Sequence, residues 1–99
     1  MINLTVNITG NQGTVNYNWT MVQTDGTIVP GVSLTYLNNN ASITHPSSLV
    51  FLGANAVNGA YEFTVVCIAV DTKQCSLNEI KKLYFNPICQ LEINEITIN

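Results

Sequence analysis

The side chains of this 99-residue chain that could take part in acid–base, nucleophilic or metal chemistry are few and scattered. They comprise six carboxylates (Asp25, Glu62, Asp71, Glu79, Glu92 and Glu95), one histidine (His45) and three cysteines (Cys67, Cys75 and Cys89). Two carboxylates divide acid and base roles only when a pocket fixes their separation. Glu92 and Glu95 are near neighbours in sequence, but nothing around them outlines a pocket. Asp25 and Asp71 stand in turn sequences, where a carboxylate ordinarily accepts hydrogen bonds from the local backbone. No G-x-S-x-G, glycine-rich phosphate loop or H-E-x-x-H is present. His45, beside Pro46 in a loop-like stretch, reads as ordinary surface; a zinc site would need several partners. The sequence therefore assigns no catalytic, cofactor-binding or metal-binding residue, and the chain reads as a protein that is not an enzyme.

An odd number of cysteines argues against a disulfide framework. If Asp71–Gln74 closes a tight hairpin, Cys67 faces a position near Asn78 and is offset from Cys75 by on the order of 10 Å. A bridge needs Cα atoms within about 7 Å. The thiols are expected to be free and mostly buried, acting as small hydrophobes.

Composition narrows the partners. Apolar residues make up 46% of the chain, enough for one packed core, and 99 residues make one domain. Charged residues are only 9%, and the polar surface must be built largely from fourteen Asn and eleven Thr. Such a surface has little of the charge repulsion that keeps copies apart, which suits a protein that ends in an assembly. Net charge is −3, with three lysines and no arginine, too little positive charge to neutralise a row of phosphates. A nucleic-acid partner is not expected. The longest wholly apolar run, Val65–Val70, is six residues, against about 20 for a spanning helix. No membrane association is expected. The opening MINLTVNITGN has neither a basic nor a long apolar region, so it is not a signal peptide. Together with Met1, this favours a complete intracellular product. Four N-x-[ST] sequons, at Asn3, Asn7, Asn18 and Asn40, are read as a by-product of abundant Asn and Thr.

Alternation with period two positions nearly everything else. Ile2, Leu4, Val6 and Ile8 share a face over Ile2–Thr9. Val15, Tyr17, Trp19 and Met21 do so after a Gly-Asn-Gln-Gly turn, and Val32, Leu34 and Tyr36 follow the Asp25-Gly26 turn. Short strands are expected at Ala41–Thr44 and Ser48–Leu52. A long one follows from Tyr61, with Tyr61, Phe63, Val65, Cys67 and Ala69 on one face. Its far half is apolar on both faces, as for a central strand covered on both sides. Leu77–Phe85 could be a helix turn or a strand; the β-rich context and aromatic end favour a strand, in which one of Tyr84 and Phe85 points outward. Leu91–Asn99 reads as an extended segment whose phase slips between Ile93 and Ile96. Seven or eight strands without a helix predict an all-β chain, a single antiparallel sandwich.

Tyr17 and Trp19, the Asp-Gly turn, then Gly59, Tyr61, Phe63, Val65 and Asp71 occur in an order that resembles PKD-type and bacterial immunoglobulin-like domains. The resemblance runs from Tyr17 to about Cys75. It implies an immunoglobulin-like sandwich in which Trp19 is the buried tryptophan and Tyr61 bonds back to the loop before it. The chain departs from that pattern in having one strand before the tryptophan strand and an extra segment after the last. Leu91–Asn99 either fills the vacant edge or pairs with an open edge of a neighbouring molecule. In its Asn/Thr-rich style the chain also resembles small immunoglobulin-like proteins of tailed-phage heads, the crAss-like group included. That resemblance implies a virion auxiliary or decoration protein, made in the host cytoplasm and bound in many copies to the major capsid protein, another virion protein or its own copies. Its partner contacts would involve Tyr84, Phe85, Leu91, Ile93, Ile96 and Ile98. The rival reading is a carbohydrate- or cell-surface-binding module of a secreted bacterial adhesin, which would need exposed aromatic rings. A third is a spacer domain of such an adhesin.

Overall fold

The computed structural model describes residues 1–24, 28–57, 59–88, 95, 97 and 98. Among them every regular element is a strand: β1 (Ile2–Thr5), β2 (Asn16–Gln23), β3 (Ser33–Leu37), β4 (Asn40–Thr44), β5 (Leu49–Gly53), β6 (Tyr61–Val70) and β7 (Ser76–Pro87). They form two antiparallel sheets, ordered β1-β4-β3 and β2-β6-β7-β5. The all-β class and the two-sheet architecture follow the period-two pattern. The Asp25-Gly26 turn and most of Leu91–Asn99 lie outside the described residues.

The two sheets meet through one row of side chains from each strand. Ile2 and Leu4 of β1 stand opposite Ile43 and Ala41 of β4. In the other sheet, Phe63, Val65, Cys67 and Ala69 of β6 stand opposite Leu83, Lys81, Glu79 and Leu77 of β7. Ala41, Ile43, Trp19, Leu49, Phe63, Val65, Cys67, Leu83 and Phe85 form a single buried cluster drawn from both sheets. Phe85 is its centre, with the rings of Phe51 and Phe63 each 5.4 Å away. Trp19 links the sheets, because its indole Nε1–H donates to the Asn38 carbonyl at the β3–β4 turn, 2.9 Å away. A buried indole needs such an acceptor.

Several expectations change. The first strand ends at Thr5 rather than Thr9, although Val6 still donates to the Asn39 carbonyl and accepts from the Asn39 side chain. Val6 and Ile8 keep the inward phase. The outer row of β6 is not covered: a two-layer sandwich has no third layer, so Ile68 is exposed and Val66 and Val70 are half-buried. Tyr36, expected inward, is 53% exposed because β3 is an edge strand and Tyr36 lies near its end. His45 is half-buried rather than ordinary surface, its ring edge-on to Phe85 at 5.2 Å. Tyr61 packs against the core cluster, and among the described residues its hydroxyl finds no hydrogen-bond partner, so the expected corner is not seen there. Gly59 lies directly on β7: a Cβ there would meet Tyr84 Cβ at 2.9 Å and the Phe85 backbone N at 3.1 Å. That position requires glycine for close approach.

Candidate functional site

The groups able to do chemistry are dispersed by the fold. No group of three or more His, Cys, Asp or Glu residues among those described is placed to hold a metal ion. Glu62 on β6 lies 3.6 Å from Lys82 on β7, a cross-strand ion pair at the surface. Cys67 is buried on the inner face of β6, opposite Glu79, and Cys75 is exposed, contrary to the expectation that the thiols would be mostly buried. Burial, with a smaller push from the Glu79 carboxylate, raises the Cys67 thiol above its ordinary value. A thiol held protonated in this way is a poor nucleophile. The β6–β7 connection is Asp71–Cys75, since Val70 pairs with Ser76, and Cys67 faces Glu79, next to Asn78 as expected.

Asp71 is the most elaborately bonded polar side chain. Its carboxylate accepts the backbone N–H groups of Gln12 at 3.0 Å, Lys73 at 2.9 Å and Cys75 at 3.0 Å. The Gln12 hydrogen bond, helped by those from Cys75 and Lys73, holds the carboxyl below its ordinary value against the opposing effect of burial. Thr72 adds backbone and hydroxyl hydrogen bonds to the Gln12 carbonyl. Asp71 thus clamps the loop before β2 onto the β6–β7 turn. Its role is structural, as its place in a turn sequence implied.

The residues singled out as partner contacts fall in different places. Tyr84 faces outward and is half-buried, whereas Phe85 is 0% exposed at the centre of the core, so its ring is not available to a partner. Ile98 is 90% exposed. Leu91, Ile93 and Ile96 lie outside the described residues.

The surface offers three features instead. The first is a contrast between the two outer faces. Sheet β1-β4-β3 presents a polar lattice, in which Ser42 donates to Asn3 and Thr5 donates to Asn40, each at 2.9 Å. Sheet β2-β6-β7-β5 instead presents Val22, Val50, Leu52, Ile68 and Ile80, all exposed. The second is a shallow hollow beside Tyr36, lined by Thr35, Leu37, Asn40 and Ser42.

The third is a cleft of about 540 Å³ between the sheets, lined by residues that include Leu4, Val6, Ile8, Trp19, Cys67 and Leu77. One wall is β1, which among the described residues is an edge strand paired only with β4, and its continuation to Ile8. The other is the first part of β7, because β5 pairs with β7 only from Tyr84 to Pro87. Ser76–Leu83 therefore has β6 on one side and no strand on the other among the described residues. The inner row there, Leu77, Glu79 and Lys81, is exposed, Leu77 by 59%. Sequence reasoning missed this cleft. The available signal was the mismatch between a short Ser48–Leu52 segment and a much longer final strand.

Comparison with protein-family models, with characterised proteins and with solved structures found no match to this chain.

Proposed function

We propose that this chain is a non-enzymatic virion structural protein, an immunoglobulin-like auxiliary or decoration protein carried in many copies on a phage capsid. The observation that carries the reading is a set of exposed apolar side chains on the outer face of sheet β2-β6-β7-β5, set among Asn16, Asn18, Thr20, Thr64 and Asn78. Val22, Val50, Leu52, Ile68 and Ile80 are exposed there, with one ion pair, Glu62–Lys82, on the same face. Several apolar side chains exposed on one face offer a candidate contact with another macromolecule. Abundant Asn and Thr with only 9% charged residues add support, since little charge has to be desolvated when such a face docks.

The strand order supports the immunoglobulin-like part of the reading. Those sandwiches place strands A, B, E and D in one sheet and C, F and G in the other. Here β1, β4 and β3 match B, E and D, and β2, β6 and β7 match C, F and G. Trp19 then lies on strand C, where such domains bury a tryptophan. Strand A has no counterpart among the described residues, and β5 joins the free side of β7.

The test is to fractionate source material by density and identify the protein by mass spectrometry. Recovery of the 99-residue chain in capsid-density particles, at a high copy ratio to the shell protein, is the expected result. Recovery only within a longer exported polypeptide would overturn the reading. It would favour the alternative, a carbohydrate- or cell-surface-binding module, for which Tyr36 and its hollow supply the exposed ring that sugar stacking needs. That alternative predicts glycan binding abolished by Tyr36→Ala.

A further inference from the structure

We infer that the cleft between β1 and the first part of β7 is an acceptor slot for a β-strand, and that its occupant is the C-terminal segment Leu91–Ile98 of a second copy of this chain. The slot has what strand addition needs: an edge whose main-chain groups have no partner strand among the described residues, and an apolar floor between the sheets. The edge is Ser76–Leu83, about 26 Å at strand rise. A strand added there would lie end to end with β5 along the same side of β7. It would cover Leu77, whose side chain belongs to the inner row yet is largely exposed.

The C-terminal segment has matching chemistry. It carries Leu91, Ile93, Ile96 and Ile98 within a short stretch, together with Glu92 and Glu95. Lys81 lines the slot, and among the described residues no carboxylate lies within ion-pair distance of it. Glu79 lies beside Lys81 on the same wall, so the two charges there balance and the match rests on apolar side chains, with Lys81 able to meet one carboxylate. Charged residues on an inner row also deter indiscriminate edge pairing, so the slot favours a strand that can meet Lys81.

Geometry favours a second copy over the chain's own tail. β7 runs from Ser76 to Pro87, so the tail leaves at the end away from the slot, where β5 already occupies the edge. Returning from Pro87 to the level of Leu83, where the slot begins, takes about 13 Å of chain outside β5, besides the residues spent on the reversal. Residues 89–99 span about 36 Å when extended, which leaves at most roughly seven residues before the reversal is counted, short of the full edge. A neighbour's tail can enter at full length. Consistent with this, Ile98 of the same chain is 90% exposed and is not seated in the cleft. Exchanged reciprocally, the contact closes as a two-fold pair; unreciprocated, it propagates into rings or open chains.

The test uses the purified full-length chain without any capsid component, so its outcome is independent of the virion reading. Two variants each disable one half of the contact. Ile93→Asp/Ile96→Asp disables the donor strand, and Leu77→Asp disables the slot at a side chain whose exposure makes the fold insensitive to it. Light scattering across a concentration series should show wild-type self-association, weakened more than about tenfold by either variant. Mixing the two variants should restore a single 1:1 heterodimer, because each retains the half that the other lacks. Circular dichroism and Trp19 fluorescence establish that both variants are folded. A wild-type chain that stays monomeric at all concentrations would overturn the inference. So would self-association that neither variant alters, or variants that fail to pair when mixed.

Discussion

The two halves of β7 have the same backbone conformation and the same neighbour, β6, yet opposite fates. From Tyr84 onward the strand is flanked by β5, and the inner row around it is buried, with Leu83 and Phe85 packed under Phe63, Phe51 and His45. From Ser76 to Leu83 the other side carries no strand among the described residues, and Leu77, Glu79 and Lys81 of the inner row are exposed. A residue's place on an inward face therefore does not by itself bury it. Burial also requires side chains packed over it: Leu83, Trp19 and Leu49 have them without a strand on both sides, whereas Leu77, Glu79 and Lys81 border the open cleft. The domain reads as a complete core at one end and an unfinished one at the other.

Stability measurements can break this contrast. Phe85→Ala in the completed half should cost about 3–5 kcal/mol in urea unfolding, the usual cost of emptying an aromatic site in a core. A loss below about 1 kcal/mol would mean that this half is loosely packed. Gly59→Ala tests the same end from the backbone side. Its Cβ has no free space above Phe85, so overpacking should cost about 1–3 kcal/mol. A neutral result would show that the 54–60 loop can lift off β7.

At the unfinished end, Asp71 holds the turn that closes β6 and β7, and its contribution is visible through pH. Its carboxyl titrates lower in the folded protein than the roughly 3.9 of an unfolded aspartate. The associated stability is therefore full above about pH 4 and is lost as pH falls through the lower, folded value. Wild type should lose stability in acid more steeply than Asp71→Asn, which lacks that proton-linked part. Parallel acid limbs in chemical denaturation at several pH values would contradict the assigned hydrogen bonds. The smallest expected effect is that of Leu77→Ala in the dilute, unassociated chain, within about 0.5 kcal/mol of wild type, as for exposed sites generally. The same substitution should become clearly unfavourable at concentrations where copies associate.

Much of this architecture was legible in the residues. Strict alternation located β2, β3, β4 and β6, and the inner row Phe63, Val65, Cys67 and Ala69 is buried as its phase required. The turn role of Asp71 was also readable, because an aspartate between two strands has backbone donors within reach. The outer row of β6 misled because Val66, Ile68 and Val70 have the same sequence signature whether a third layer covers them or a partner does. Tyr36 misled for a related reason: its phase is inward, but an edge position leaves the ring uncovered. His45 gave no sign that it would pack on Phe85, a contact made across forty residues of chain. The cleft was the least legible feature. It depends on which strands become neighbours and on β5 ending where it does, and neither is encoded in local periodicity.

The most direct measurement of the central claim is hydrogen exchange along β1 and β7 of the full chain at low and high protein concentration. The account predicts that protection around Phe85 is high at both concentrations. Protection across residues 76–83 and 2–8 should rise as copies associate and fill the slot. Equal protection of both halves of β7 at every concentration would contradict it, because the half exposed here would then already be complete in the single chain.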